Sequence, residues 1–294
     1  WVVSQLPPAV AARGGTVRTT LDARLQQILE ARVREHVASL HDRNVDQAGL
    51  VALDAASGHV LAWVGSADWD GPDGEVDIVT RRRNPGSALK PFVYGAAIEA
   101  GDLPSTVAFD VRDVSPDYFA PEAGVEHGPV RYREALGSSY NFAAIFALER
   151  AGITRVMTAL RAAGVAELPG RPEDYGLRLA LGAAKVRLLD LAAGYRFVVA
   201  GGEVLPPAWV ISADAPDGAH WRPPIRRPRR VFSKTTAWLV MDMMADPEAR
   251  RPGFGEELPF DLPFRVAAKT GTARGFADTV AVAATREVIV AAWA

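Results

Sequence analysis

The chain has 294 residues, 49% hydrophobic and 23% charged, with a formal charge of −2, an ordinary globular composition with enough apolar side chain to fill a core. So balanced a charge gives no global field for nucleic acid or an acidic membrane surface. The lack of cysteine excludes disulfides, thiolate catalysis and cysteine-based zinc sites.

In chain order, residues 1–17, with Pro7-Pro8 and Gly14-Gly15, read as a linker from an upstream region, and residues 18–294 as one domain. Leu21, Leu25, Ile28, Leu29, Val33, Val37 and Leu40 then recur every three or four residues, which predicts a helix with one buried face and Thr20 as its N-cap. Two β-rich runs within 48–65, parted by hairpin chemistry from Asp54 to Gly58, predict a strand pair. The middle of the chain, roughly 100–200, is largely helical by pattern. Helices are expected over 88–100, 142–150 and 154–163, each closing near a glycine, and another over 233–245. Strands return at 264–268, 279–284 and 288–293, separated by turn-like Arg274-Gly275 and Thr285-Arg286, and the apolar run is still open at Ala294, which reads as a truncated end. Strands at both ends around a helical middle predict an α+β fold whose first and last strands share a sheet.

The basic runs Arg81 to Arg83 and Arg226 to Arg230 read as solvated surface, without the interleaved aromatics of a single-strand nucleic-acid face. His36, His41, His59, His127 and His220 show no metal-ligand spacing, so neither a metal nor a cofactor is expected. No stretch approaches the ~18 to 20 apolar residues of a membrane span. Trp1-Val2-Val3 lacks the shape of a signal peptide, so an exported protein would have lost its targeting segment.

Of the 33 basic residues only four are lysine: Lys90, Lys185, Lys234 and Lys269. Where lysine survives such a bias, an amine that can lose its proton is a reason to keep it, because a guanidinium does not deprotonate in a protein. Lys185 and Lys234 have no partner pattern and read as surface; Lys90 and Lys269 each sit in a motif. In Asn84-Pro85-Gly86-Ser87-Ala88-Leu89-Lys90, Ser87 and Lys90 are three apart at a helix start and share a face. Serine needs an adjacent base to become a nucleophile. Lysine serves only if its pKa falls from ~10.4 toward ~7 to 8. In Ser138-Ser139-Tyr140-Asn141, at a junction between helices, the Ser139 hydroxyl could relay a proton and the Asn141 amide could orient the lysine. In Lys269-Thr270-Gly271-Thr272, lysine and threonine on a strand edge suit a carboxylate, and Gly271 would let the backbone approach a substrate. Each motif also has an ordinary reading: a helix start with a solvated lysine, a helix cap, and a turn after a strand.

Taken in this order and context, SxxK, SxN and KTG form a set already known as the signature of penicillin-binding proteins and class A β-lactamases. The stretches TTLDARLQQ, LVALDAASGHVLAWVGS, NPGSALKPFVYGAAIEAG, SSYNFAA and AAKTGTARGFAD resemble a class A penicillin-binding protein, and RVFSKTTAWLVMDMMADPEARRPGFGEELPFDLPFRVAAKTGT resembles its 1C-type branch. The resemblance implies a five-stranded antiparallel sheet flanked by helices, plus a helical subdomain carrying SxN. It implies an extracytoplasmic peptidoglycan D,D-transpeptidase that β-lactams acylate. Ser87 would attack the D-Ala-D-Ala carbonyl of a stem peptide and Lys90 take its proton. Ser139 and Asn141 would relay protons and bind substrate, Lys269, Thr270 and Thr272 hold the terminal carboxylate, and the N–H groups of Ser87 and Thr272 form the oxyanion hole. An upstream glycosyltransferase domain and membrane anchor would complete the protein. The sequence departs from the family at Val280, where tryptophan is expected. Two alternatives stay open on the same motifs: a β-lactamase or D,D-carboxypeptidase, which resolves the acyl-enzyme with water, and a non-catalytic β-lactam sensor or scaffold.

Overall fold

The computed structural model describes residues 6–113, 124–256, 260–273 and 277–294. Trp1-Val2-Val3, the turn expected at Arg274-Gly275, and Phe276 lie outside them. Helix α1 (Ala23–Ser39) precedes the hairpin of β1 (Gly49–Asp54) and β2 (Val60–Val64). A 3-10 turn over Gly86–Leu89 runs straight into helix α2 (Lys90–Glu99). The short strands β3 (Val107–Asp110) and β4 (Gly128–Arg131) pair antiparallel ahead of α3 (Tyr132–Gly137), α4 (Asn141–Ala151) and α5 (Ile153–Ala163). Helices α6 (Leu188–Val199), α7 (Lys234–Met244) and α8 (Pro247–Phe254) lead to β5 (Ala267–Thr272), β6 (Thr279–Ala284) and β7 (Val288–Trp293).

The five longer strands make one antiparallel sheet in the order β5-β6-β7-β1-β2. First and last strands meet as expected, with Val288 opposite Asp54 and Trp293 opposite Gly49. Alternate residues line each face of a strand. One face carries Val51, Leu53, Val280, Val282, Ala284, Ile289, Ala291 and Trp293, all buried, and α6 packs on it. Beyond lies α2, apolar around most of its circumference and buried from Lys90 through Ile98, as a helix without a polar face must be. The opposite sheet side is covered in part by α1, whose Val33 and Val37 cluster with Ala48, Val64 and Ala67.

Several local expectations change. The buried stripe of α1 narrows to Val33 and Val37, and Ile28 is 47% exposed. Its N-cap is Asp22, which accepts from the Leu25 N–H at 2.9 Å; the Thr20 hydroxyl is taken instead by the Val60 carbonyl at 2.6 Å. Strand β5 begins at Ala267, because β6 ends opposite it at Ala284 and leaves Phe264 nothing to pair with. Within the stretch read as a linker, Leu6 is buried, Pro8–Ala11 is helical, and Thr16–Thr19 pairs with Val210–Asp214. The arginine runs are engaged as well: Arg83 bonds Asp278 at 2.7 Å, and Arg226 donates to the carbonyls of Pro206 and Ser57. Lys185 and Lys234 are exposed, as expected.

Candidate active site

The three motifs fold onto one another. Ser87 lies in the 3-10 turn, where the Lys90 N–H donates to its carbonyl. Lys90 opens α2 and is completely buried. Its ammonium donates to the Ser139 carbonyl at 2.6 Å, the Tyr140 carbonyl at 2.9 Å and Asn141 Oδ1 at 2.7 Å. Three acceptors match the three N–H groups of an ammonium. That crowding depends on backbone shape: Ser139 has φ +65, a region non-glycine residues visit rarely, and this turns two successive carbonyls toward one amine. Asn141 follows as the first residue of α4. From the other side, Lys269 on β5 donates to Ser139 Oγ at 2.7 Å and the Thr270 carbonyl at 3.0 Å. Lys90, Ser139, Asn141 and Lys269 thus form one continuous network.

Ser87 reaches this network through the backbone. β5 is an edge strand, and its free edge lies against the turn over 85–88. A Cβ on Gly86, which has φ +51, would fall 2.3 Å from the Thr272 carbonyl oxygen. One on Gly271 would fall 2.0 Å from the Pro85 carbonyl oxygen. Gly271 therefore permits a close approach to the Ser87 turn. Gly271→Ala has to push these backbones apart, at about 1 to 3 kcal/mol, and should lower Tm by roughly 3 to 10 °C. An unchanged melting curve would show that they part freely. Among the described residues the Ser87 hydroxyl makes no hydrogen bond. Thr270 and Thr272 alternate with Lys269 along β5 and share the strand face opposite to it; Thr272 is exposed.

Electrostatics favours loss of the lysine protons. Burial, then the Lys269 charge, push Lys90 well below the ordinary lysine value, against a pull upward from Asp110. Burial, then Arg250, bring Lys269 down to about 7. Between about pH 7 and ~10 the unfolded chain therefore holds a proton on this lysine that the fold has released, and stability rises with pH across that window. Lys269→Met removes this contribution, on the order of 4 kcal/mol as an upper bound. Urea unfolding of both proteins at pH 7 and pH 9.5 measures it, and equal slopes would mean that Lys269 keeps its proton when folded.

Some supporting residues carry no motif. Tyr195, on α6, donates to the Ala88 carbonyl at 2.6 Å and anchors the Ser87 turn. Gly182 packs its backbone onto Gly86. Arg250 is buried beside Lys269, with Nε and Nη1 lacking hydrogen-bond partners among the described residues. Asp110 is buried behind Lys90. None has a sequence signal beyond its residue type. Val280 is buried on β6 opposite Trp293, and β5 pairs with β6 unbroken from Ala267 to Thr272, so the strand edge survives the substitution. A cleft of about 830 Å³ runs from Thr270 and Thr272 toward Arg32 and His36. Its walls include neither Ser87 nor Lys90.

Residues 48–294 match the penicillin binding protein transpeptidase domain. The chain belongs to this family. The transpeptidase domain is 32% identical to penicillin-binding protein 1C of Escherichia coli over 96% of this chain and 35% of that protein. It is 29% identical to the probable peptidoglycan D,D-transpeptidase PenA of Neisseria meningitidis over 90% of this chain and 47% of that one. The chain thus spans about a third to a half of these relatives. Among solved structures, the penicillin-binding protein PonA1 of Mycobacterium tuberculosis superimposes with a TM-score of 0.77 at 24% identity, over 95% of this chain and 76% of that one. Penicillin-binding protein A of the same organism, as an imipenem acyl-enzyme complex, does so with a TM-score of 0.76 at 22% identity, over 95% of this chain and 74% of that one. These neighbours share the five-stranded α+β fold.

Proposed function

We propose that the domain cross-links peptidoglycan as a serine D,D-transpeptidase, through an acyl-enzyme on Ser87. The observation that supports this most is the convergence of Lys90, Ser139, Asn141 and Lys269 in one hydrogen-bonded network beside the Ser87 turn.

In the proposed reaction Lys90, as a neutral amine, gives up one of its three contacts and turns its lone pair to Ser87. Ser87 Oγ attacks the carbonyl carbon of the penultimate D-Ala, and its proton passes to Lys90. The N–H groups of Ser87 and Thr272 receive the oxyanion. The C–N bond then breaks. The leaving D-Ala amine takes a proton from the Ser139 hydroxyl, which is replenished by Lys269. The acceptor amine of a second stem peptide then attacks the ester carbonyl, its proton passes through Ser139 back to Lys269, and as the C–O bond breaks Lys90 returns to Ser87 Oγ the proton it took. Thr270 and Thr272 hold the terminal carboxylate, which a β-lactam mimics. We place the reaction on the outer side of the cytoplasmic membrane, in a longer protein carrying an anchor and an upstream glycosyltransferase domain. No described helix is long and apolar enough to cross a membrane.

The test is to incubate the folded domain with a fluorescent penicillin, digest it and locate the adduct by mass spectrometry. A stable adduct on the Ser87 peptide is expected. D-Ala release that depends on an acceptor amine should follow with a stem-peptide substrate. Rapid loss of label would favour hydrolysis, and absence of label would overturn the assignment.

A further inference from the structure

We propose that Asp110, which lies outside all three motifs, is a positioning residue for Lys90: it clamps the helix start that supplies the lysine's acceptors. The inference rests on the reading of Lys90 as the base for Ser87.

The geometry begins with an uncapped helix. The N-cap residue of α4 is Tyr140, whose side chain makes no capping bond, yet the first N–H groups of a helix need partners. Asp110, at the end of β3 and completely buried, supplies one: Oδ1 accepts from the Ala143 N–H at 2.8 Å. Its Oδ2 lies 2.6 Å from His127 Nδ1, and the His127 ring stacks on Tyr140 at 3.7 Å and 12°. One carboxylate and one imidazole therefore hold both sides of the segment from Ser139 to Ala143, which carries every acceptor of the Lys90 ammonium. A drift of this turn would scatter those acceptors, and misplacements of ~1 Å can be costly to catalysis.

The second part is charge. A carboxylate loses much free energy on burial unless it is bonded and faces a cation. Among the described residues the only ion-pair partner of Asp110 is His127, and the next cation in its field is Lys90. The titratable groups around this pair come from every neighbouring element. Lys269 faces Lys90 from β5, Tyr140 and Tyr94 both feel Asp110, Tyr132 packs edge to face on Tyr94, and the Tyr140 hydroxyl donates to Glu134 at 3.4 Å. Asp110 is the anion that opposes Lys269 at Lys90.

The experiment uses the rarity of lysine. With [ε-13C]lysine the folded domain gives only four side-chain signals, so Lys90 can be titrated directly by NMR in the wild type and in Asp110→Asn. The amide keeps an oxygen for the Ala143 N–H and removes the charge. The expected result is a lower Lys90 midpoint in the variant, with Lys185 and Lys234 unmoved. The acid limb of penicillin acylation should move to lower pH, and the plateau rate should fall roughly tenfold, because a weaker base takes the serine proton less readily. His127→Gln, which keeps the Asp110 charge and an N–H donor but loses the stack on Tyr140, should move the Lys90 midpoint much less than Asp110→Asn does. Identical midpoints in wild type and Asp110→Asn, or an equal displacement in His127→Gln, would overturn the proposal, whatever happens to Tm. Should Asp110→Asn fail to fold, Asp110→Ser offers a hydroxyl to the same N–H without charge and is read the same way. The NMR midpoint needs no reaction with penicillin, so an unlabelled Ser87 would sink the acyl-enzyme reading separately.

Discussion

Ser87→Ala is expected to abolish the covalent penicillin adduct, lowering the acylation rate by at least about 10⁴-fold, the scale of losses seen when a nucleophile is deleted. Among the described residues the Ser87 hydroxyl bonds nothing, so its removal leaves no polar group stranded. Tm should change by no more than ~2 °C. The Ser87 carbonyl, which accepts from the Lys90 N–H, and the Tyr195 anchor on Ala88 both stay in place. This separation of large chemical loss from small structural loss is the diagnostic outcome. Measurable labelling of Ser87→Ala would put the nucleophile elsewhere.

Lys90→Met should behave differently, losing both chemistry and stability. Removing a general base typically costs 10²- to 10⁴-fold, and the acylation rate of the variant should fall in that range. The pH dependence that comes from Lys90 should vanish with it. In the wild type that dependence has a definite sign: burial and Lys269 lower the Lys90 proton affinity, so acylation rises with pH as the amine becomes neutral. The thioether also strands the Ser139 and Tyr140 carbonyls, which both accept from Lys90. Each buried acceptor left unpaired costs about 1 to 3 kcal/mol, offset in part because a lysine charge no longer has to be buried. Stopped-flow labelling across pH, with urea unfolding alongside, checks both halves. A variant with wild-type acylation would remove Lys90 from the mechanism.

The two variants differ because the residues differ in what the fold asks of them. Ser87 is displayed at a turn, whereas Lys90 is a buried donor to three acceptors that the fold has gathered around it. The SxN turn bends around it at Ser139, and α8 packs against that turn so closely that a Cβ on Gly253 would fall 2.5 Å from the Ser138 carbonyl oxygen.

Much of the fold was legible because its signals are local. Helix and strand periodicity placed the elements within a few residues, and strands at both ends around helices pointed to one shared sheet. Errors arose where tertiary partners decide. Thr20 is a good cap by residue type, but the sheet claims its hydroxyl. Phe264 reads as a strand residue, but the partner strand ends opposite Ala267.

By itself, the sequence determined which residues can do the chemistry. Serines, lysines, an asparagine and threonines at fixed spacings gave candidates for a nucleophile, a base, a hydroxyl relay, an orienting amide and a carboxylate site, and the scarcity of lysine singled out Lys90 and Lys269. Only the tertiary structure decided how those groups are tuned, because burial and charge–charge distance depend on what packs nearby from remote parts of the chain. Asp110 and Arg250 have no motif, and their effect on the two lysines exists only once β3, α8 and β5 close around the SxN turn.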